Sequence, residues 1–213
     1  MKKNLLFLFL LPLLAFGQAS FTGKPRYSIL TKRSGALLGE IRVELFPAIA
    51  PLAVANFDSL VKMHFYDSTA FHRVVPGFVI QGGDPNSRSG PRSTWGQGNP
   101  SQKKVPAEFS AVSHARGILS AARDTSPNSA DSQFFICVAA ATSLDGKYSA
   151  YGRVISGMNI ADLIVNSPRD ANDNPNQKIE MFVTYIGSND TVPDASTLIS
   201  PSSGAQGVPD SGV

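Results

Sequence analysis

Apart from one stretch at its start, this chain gathers its apolar residues into short runs separated by glycine and proline, a spacing that favours a sheet over a bundle of helices. Between Ala36 and Phe46, the residues Glu40, Arg42 and Glu44 alternate with Ile41, Val43 and Leu45, the period-two pattern of a strand with one wet face. Ser34-Gly35 reads as a hairpin turn back to Tyr27–Leu30. Further runs follow at Phe71–Val75, Phe78–Gln81, Ile118–Ala121, Gln133–Val138, Tyr151–Ile155 and Met181–Ile186. So many short strands with turn residues between them predict a mainly β fold, an antiparallel sheet closed into a barrel. Two helices interrupt the series. One opens at Pro51 and repeats Val54, Phe57, Leu60 and Val61 along one face. The other runs from Met158 to Val165 with Ile160, Leu163 and Ile164 inward, stopped by Pro168.

The two ends of the 213 residues read differently from the middle. Residues 1–17 carry Lys2 and Lys3, the apolar run Leu5–Phe16, and Ala15 with Gly17 at A-x-G spacing, the three parts of a secretory signal cleaved after Gly17. The run is too short to cross a bilayer, so no membrane span is expected once it is removed. Residues 188–213 are rich in Ser, Pro, Gly and Asp with no aromatic residue, the composition of a disordered tail, which leaves residues 18–187 as one folded domain. The signal holds two lysines and no acid, so the net charge of +3 falls by two on cleavage, and nothing in the balance calls for nucleic acid. The single cysteine, Cys137, lies within an apolar run and reads as a small buried thiol.

Several chemistries find no support. His64, His72 and His114 form no metal-ligand spacing, so no metal is expected and the histidines read as structural. Gly117-Ile118-Leu119-Ser120 is not a nucleophile elbow. The long segment Asp84–Lys104, with Arg88, Arg92, Lys103 and Lys104 against Asp84, reads as a mobile rim that favours acidic peptides.

The informative strand is Gln133–Val138. Gln133 and Phe135 point to one face, and Phe134 and Ile136 to the other. One reading makes the outer face the wall of an apolar pocket with a directional amide, served also by Arg73, Phe78 and Gln81. The other has both faces covered and Arg73 in a surface ion pair.

At these residues the sequence resembles the cyclophilins. The matching strings are Phe71-His72-Arg73-Val74-Val75-Pro76-Gly77-Phe78-Val79-Ile80-Gln81-Gly82-Gly83-Asp84, then Gly117-Ile118-Leu119-Ser120, Ser132-Gln133-Phe134-Phe135-Ile136, Leu144-Asp145-Gly146-Lys147-Tyr148 and Tyr151-Gly152-Arg153-Val154, in family order. The resemblance implies a closed eight-stranded antiparallel β-barrel capped by two α-helices, with the site on its outer surface. It implies peptidyl-prolyl cis/trans isomerisation without a cofactor, with Arg73 and Gln81 as catalytic residues. Phe78, Val79, Ala122, Arg123, Gln133, Phe135, Leu144 and Tyr148 would bind the substrate, and His72 would be a buried neighbour of the arginine. Val79 stands where many members have methionine and Arg123 where many have asparagine. Ser143 and Tyr148 stand where animal members have tryptophan and histidine, differences that bear on cyclosporin binding more than on catalysis. The expected partners are proline-containing peptides and unfolded exported proteins, and the expected state is an exported monomer, in the periplasm or released outside the cell. A proline-segment-binding chaperone with incidental turnover is the competing reading.

Overall fold

The computed structural model describes residues 23–189. The expected signal at 1–17 lies outside them, as does the expected tail apart from its first two residues. Those two residues, Ser188 and Asn189, extend the last strand, opposite Pro25 and Lys24.

Eight strands form the sheet: β1 Lys24–Arg33, β2 Ala36–Leu45, β3 Thr69–Val75, β4 Val79–Gly82, β5 Ile118–Ala121, β6 Phe134–Cys137, β7 Ala150–Ser156 and β8 Ile179–Asn189. They close in the order β1-β2-β7-β5-β6-β4-β3-β8, with every neighbour antiparallel. Closure removes the sheet edges that would otherwise invite pairing with other chains. The turn between β1 and β2 has φ of 50° at Ser34 and 82° at Gly35, the left-handed pair of a two-residue hairpin whose twist matches its strands.

Alternation fills the barrel. Ile41, Val43 and Leu45 of β2 face Tyr27 and Ile29, Phe71 and Val74, Ile80, Leu119, Phe134 and Ile136, and Met181 in one continuous core. The wet face of β2 is drier than its charges suggest. Glu44 is buried, ion-paired to Lys24 at 3.3 Å, Arg26 at 2.8 Å and Arg153 at 3.1 Å, as a carboxylate withdrawn from water requires.

Helix α1, Pro51–Lys62, closes one part of the core with Ala53, Val54, Phe57, Leu60 and Val61. Its first free amides, on Leu52 and Ala53, donate to the Glu108 carboxylate, each at 2.9 Å. Phe57 meets Tyr27 and Phe134 edge-on, with centroids 5.2 and 5.8 Å apart.

A helix of one turn, α2, Asn86–Ser89, was not expected, nor was the 3₁₀ turn Arg92–Thr94 that follows it. The 84–104 segment is therefore not a structureless rim. Fully buried Asp84 accepts from the amides of Asn86 and Gly96, Asn86 Nδ2 donates to the Gly98 carbonyl at 2.7 Å, and Trp95 Nε1 donates to the Gly90 carbonyl at 3.0 Å. Polar side chains do the stitching, which a count of apolar residues overlooks. Three of its four cations are also engaged: Arg88 with the Phe65 and Asp67 carbonyls, Arg92 with Asp170, and Lys104 with Asp131.

Helix α3 spans Met158–Val165 as the pattern predicts, but its buried residues are Ala161, Ile164 and Val165. Ile160 packs against the core edge, while Leu163 points outward with half its surface exposed. One helical step of about 100° separates Leu163 from Ile164, enough to carry it off the apolar stripe. Among the described residues no helix is long and apolar enough to cross a membrane.

Candidate active site

Strand β3 carries a bulge. Phe71 opposes Gly82 and Arg73 opposes Gln81, leaving His72 as the extra residue. Phe71 and Val74 both enter the core, although simple alternation would send them to opposite faces. The bulge thus turns Arg73 outward, the re-aiming that bulges commonly perform beside functional sites. Cross-strand register then lines up Arg73, Gln81, Phe135 and Ser120 across β3, β4, β6 and β5.

A second, smaller apolar cluster covers the outer face of this row. Val79, Ala122, Phe135, Cys137 and Ala141 are buried in it, with Phe78, Leu144 and Tyr148 packed at its edge. Together with Arg73, Gln81 and Arg123, six of these residues (Phe78, Val79, Ala122, Phe135, Leu144 and Tyr148) surround a pocket of about 170 Å³, room for one ring-sized side chain. Phe135 and Tyr148 meet edge-on at 5.6 Å, and the Arg123 guanidinium lies 4.5 Å above the Tyr148 ring while donating to the Lys147 carbonyl. Ser143 is exposed and not part of the lining. Cys137 is buried beneath the wall, and burial pushes its thiol pKa up to about 12, leaving it inert.

Of the ten residues expected at the site, nine line this pocket. The exception is Gln133, which lies just outside β6 and faces a neighbouring hollow shared with Gln81, Ala122 and Arg123. Its role is directional. Arg73 Nη1 donates to Gln81 Oε1 at 3.4 Å, Gln81 Nε2 to Gln133 Oε1 at 3.2 Å, and Gln133 Nε2 to the Gly96 carbonyl at 3.2 Å. A guanidinium can only donate and a carbonyl can only accept, so the ends of this chain fix both amides in one orientation. The amide of Ala122 donates to the Gln133 carbonyl at 2.9 Å and is not free to grip a peptide.

Among the described residues no carboxylate lies within ion-pair distance of half-buried Arg73, whereas the more exposed Arg116 and Arg169 are both paired. The surface ion-pair reading of Arg73 is therefore set aside. His72 sits beneath Gly96, where a Cβ would lie 3.3 Å from the imidazole. Burial lowers its pKa to about 4, so it is neutral at pH 7, and its own position is 4% exposed.

Behind Phe135 the structure assembles a group that the sequence left unconnected. His114 is fully buried, with Nδ1 2.9 Å from Asp145 Oδ1 and Nε2 3.1 Å from Ser120 Oγ. The hydrogen bonds run in the order of a serine-hydrolase triad, but Ser120 is fully buried and no substrate carbonyl can reach it. The sequence placed Ser120 and Asp145 in separate family strings and read His114 as structural, but nothing in it joined the three. No cluster of metal-ligating side chains occurs among the described residues.

Residues 28–185 match the family described as cyclophilin type peptidyl-prolyl cis-trans isomerase/CLD. The chain is 37% identical over 164 residues to a peptidyl-prolyl cis-trans isomerase of Acinetobacter baylyi, covering 72% of this chain and 84% of that one. It is 39% identical over 155 residues to peptidyl-prolyl cis-trans isomerase-like 3 of Dictyostelium discoideum, covering 71% and 92%. A crystal structure of a Cryptosporidium parvum cyclophilin type isomerase superposes with a TM-score of 0.68 at 29% identity, covering 78% of this chain and 99% of that one. The same protein in the presence of the dipeptide Ala-Pro gives 0.65 at 31%, covering 77% and 99%.

Proposed function

This chain belongs to the cyclophilin-type peptidyl-prolyl cis-trans isomerases, and from that premise we propose that Arg73 is its catalytic group, that proline rings enter the pocket of Phe78, Val79, Phe135 and Leu144, and that its clients are exported proteins. The observation that carries the catalytic assignment is the unpaired guanidinium of Arg73 at the rim of an apolar pocket, aimed by an amide chain of fixed direction.

An Xaa-Pro bond resists rotation because the imide nitrogen shares its lone pair with the carbonyl, with a barrier of about 18–20 kcal/mol. Halfway round, the nitrogen is pyramidal and can accept a hydrogen bond. A donor placed there lowers the barrier and leaves the planar ground states nearly untouched, and about 7 kcal/mol of such preference gives an acceleration of about 10⁵. No bond breaks, so no nucleophile or proton shuttle is required. A guanidinium suits this task because it is a permanent cation that donates from a rigid, planar fork. Gln81, whose oxygen faces Arg73, serves as its orienting partner. The apolar wall holds the ring while the acyl side turns. Arg123 and Tyr148 close one flank, and Ala122 supplies floor area. Gln133 acts mainly as the next link of the amide chain.

The likeness to a protein studied with Ala-Pro supports binding of proline-containing peptides by the same surface. Export rests on the signal pattern of residues 1–17 and points to folding of proteins outside the cytoplasm, in the periplasm or beyond it. A protease-coupled assay on a short Xaa-Pro peptide tests the activity, and the N-terminal mass of protein recovered from the periplasm tests cleavage after Gly17. A chaperone that merely binds proline segments would show binding without turnover.

A further inference from the structure

Arg73 separates two hollows. On one side lies the apolar pocket. On the other is a polar cleft of about 400 Å³, walled by the 92–96 and 170–174 loops and floored by His72, Arg73 and Gln81. Arg73 and Gln81 line both, so a peptide with its proline in the pocket reaches the cleft by crossing one guanidinium. The cleft has the size of a ligand site.

Two buried side chains lining it have unmet hydrogen-bonding capacity. The His72 ring meets no polar group but the Ala70 backbone, which leaves one ring nitrogen without a partner among the described residues, and Oδ1 of Asn174, a residue 8% exposed, has none there. Folded proteins leave few such groups unpaired, because a buried polar atom without a partner has lost its water and gained nothing in return. The local turn does not need the Asn174 side chain, since Asp170 Oδ1 already accepts the amides of Asn172 and Asn174 at 2.9 and 3.0 Å.

The charges in the cleft narrow the choice of guest. Arg92 is matched by Asp170 at 3.3 Å, His72 is neutral at pH 7, and among the described residues Arg73 donates only to Gln81. An ammonium would meet two guanidiniums. A carboxylate brings only acceptors, against Asp170 and the Asn174 oxygen. A carboxamide brings both an acceptor for a guanidinium and donors for Asn174 Oδ1.

We propose that this cleft is a second substrate subsite, which takes the carboxamide side chain of a glutamine or asparagine near the proline. The inference rests on the reading that the adjoining pocket holds the proline ring.

The test is kcat/KM on a peptide set built around one Ala-Pro bond, with Leu, Gln, Glu or Lys placed in turn at successive positions on either side. At one position Gln should exceed Leu by about three- to tenfold, the worth of one net hydrogen bond, and should exceed Glu and Lys. Asn174→Leu should bring the Gln-to-Leu ratio to about one. Ser93→Phe, at an exposed rim position, should lower the same ratio, so the result does not depend on how well Asn174→Leu folds. A wild-type ratio within twofold at every position overturns the proposal, as does a ratio that survives both substitutions. If all peptides turn over without preference, the cleft alone is misread. If none turns over, the proline-pocket reading fails and takes the subsite with it.

Discussion

The imidazole of His114 lies against the ring of Phe135, with centroids 6.0 Å apart and planes 25° apart. Asp145 and Ser120 hold the imidazole at its two nitrogens, and Asp145 Oδ1 also accepts the His114 amide at 2.7 Å. Asp145 directly follows the 3₁₀ turn Thr142–Leu144, so one buried histidine braces two walls of the proline pocket, Phe135 and Leu144.

His114→Phe keeps a ring against Phe135 but leaves the buried Ser120 hydroxyl without this partner. It should cost about 1–3 kcal/mol of stability and lower kcat/KM by about three- to tenfold. Denaturant unfolding and a turnover assay read the two effects, and a variant matching wild type in both would remove the bracing role.

Arg73→Ala should lower kcat/KM by about 10²- to 10³-fold with little change in peptide affinity, because the lost hydrogen bond is made to the twisted amide. Arg73→Lys should not rescue it, since an ammonium on a flexible stem lacks the planar fork. Stability should change by about 1 kcal/mol or less. A folded Arg73→Ala protein turning over within threefold of wild type would defeat the assignment.

Burial holds His72 neutral in the folded protein down to about pH 4, while the unfolded chain takes up the proton near its ordinary value of 6.5. Between these values the unfolded state binds more protons. The contribution of a neutral buried His72 is therefore complete above about pH 6.5 and is lost as pH falls toward 4, by roughly 3 kcal/mol. Subtracting the stability curve of His72→Gln from that of wild type should isolate this slope, and two parallel curves would show that His72 titrates normally.

Cyclosporin should inhibit weakly. Ser143 is exposed outside the pocket lining, and Tyr148 is already covered by Arg123 on one face. Loss of one buried anchor costs on the order of 2 kcal/mol, about thirtyfold in affinity. Nanomolar inhibition in the turnover assay would show that this wall has been misjudged.

Side-chain alternation is a property of the extended backbone itself, so the sequence alone determined which residues of β2 and of β6 share a face. Phe134 and Ile136 on one side of β6 and Phe135 on the other needed no knowledge of neighbouring strands. The family strings then identified seven residues that line one pocket, and the resemblance between them added Ala122 and Arg123. Other features were decided between segments distant in the chain. The bulge at His72 exists because β3 must pair with β4 in one register while Phe71 and Val74 both fill the core. The polar stitching of the 84–104 segment and the contact of His114 with Asp145 and Ser120 join groups whose proximity only barrel closure creates. The direction of the Arg73–Gln81–Gln133 chain is set by the Gly96 carbonyl at its far end. Faces are written in local chirality, but hydrogen-bond partners are chosen by which strands and loops tertiary folding brings within about 3 Å of one another.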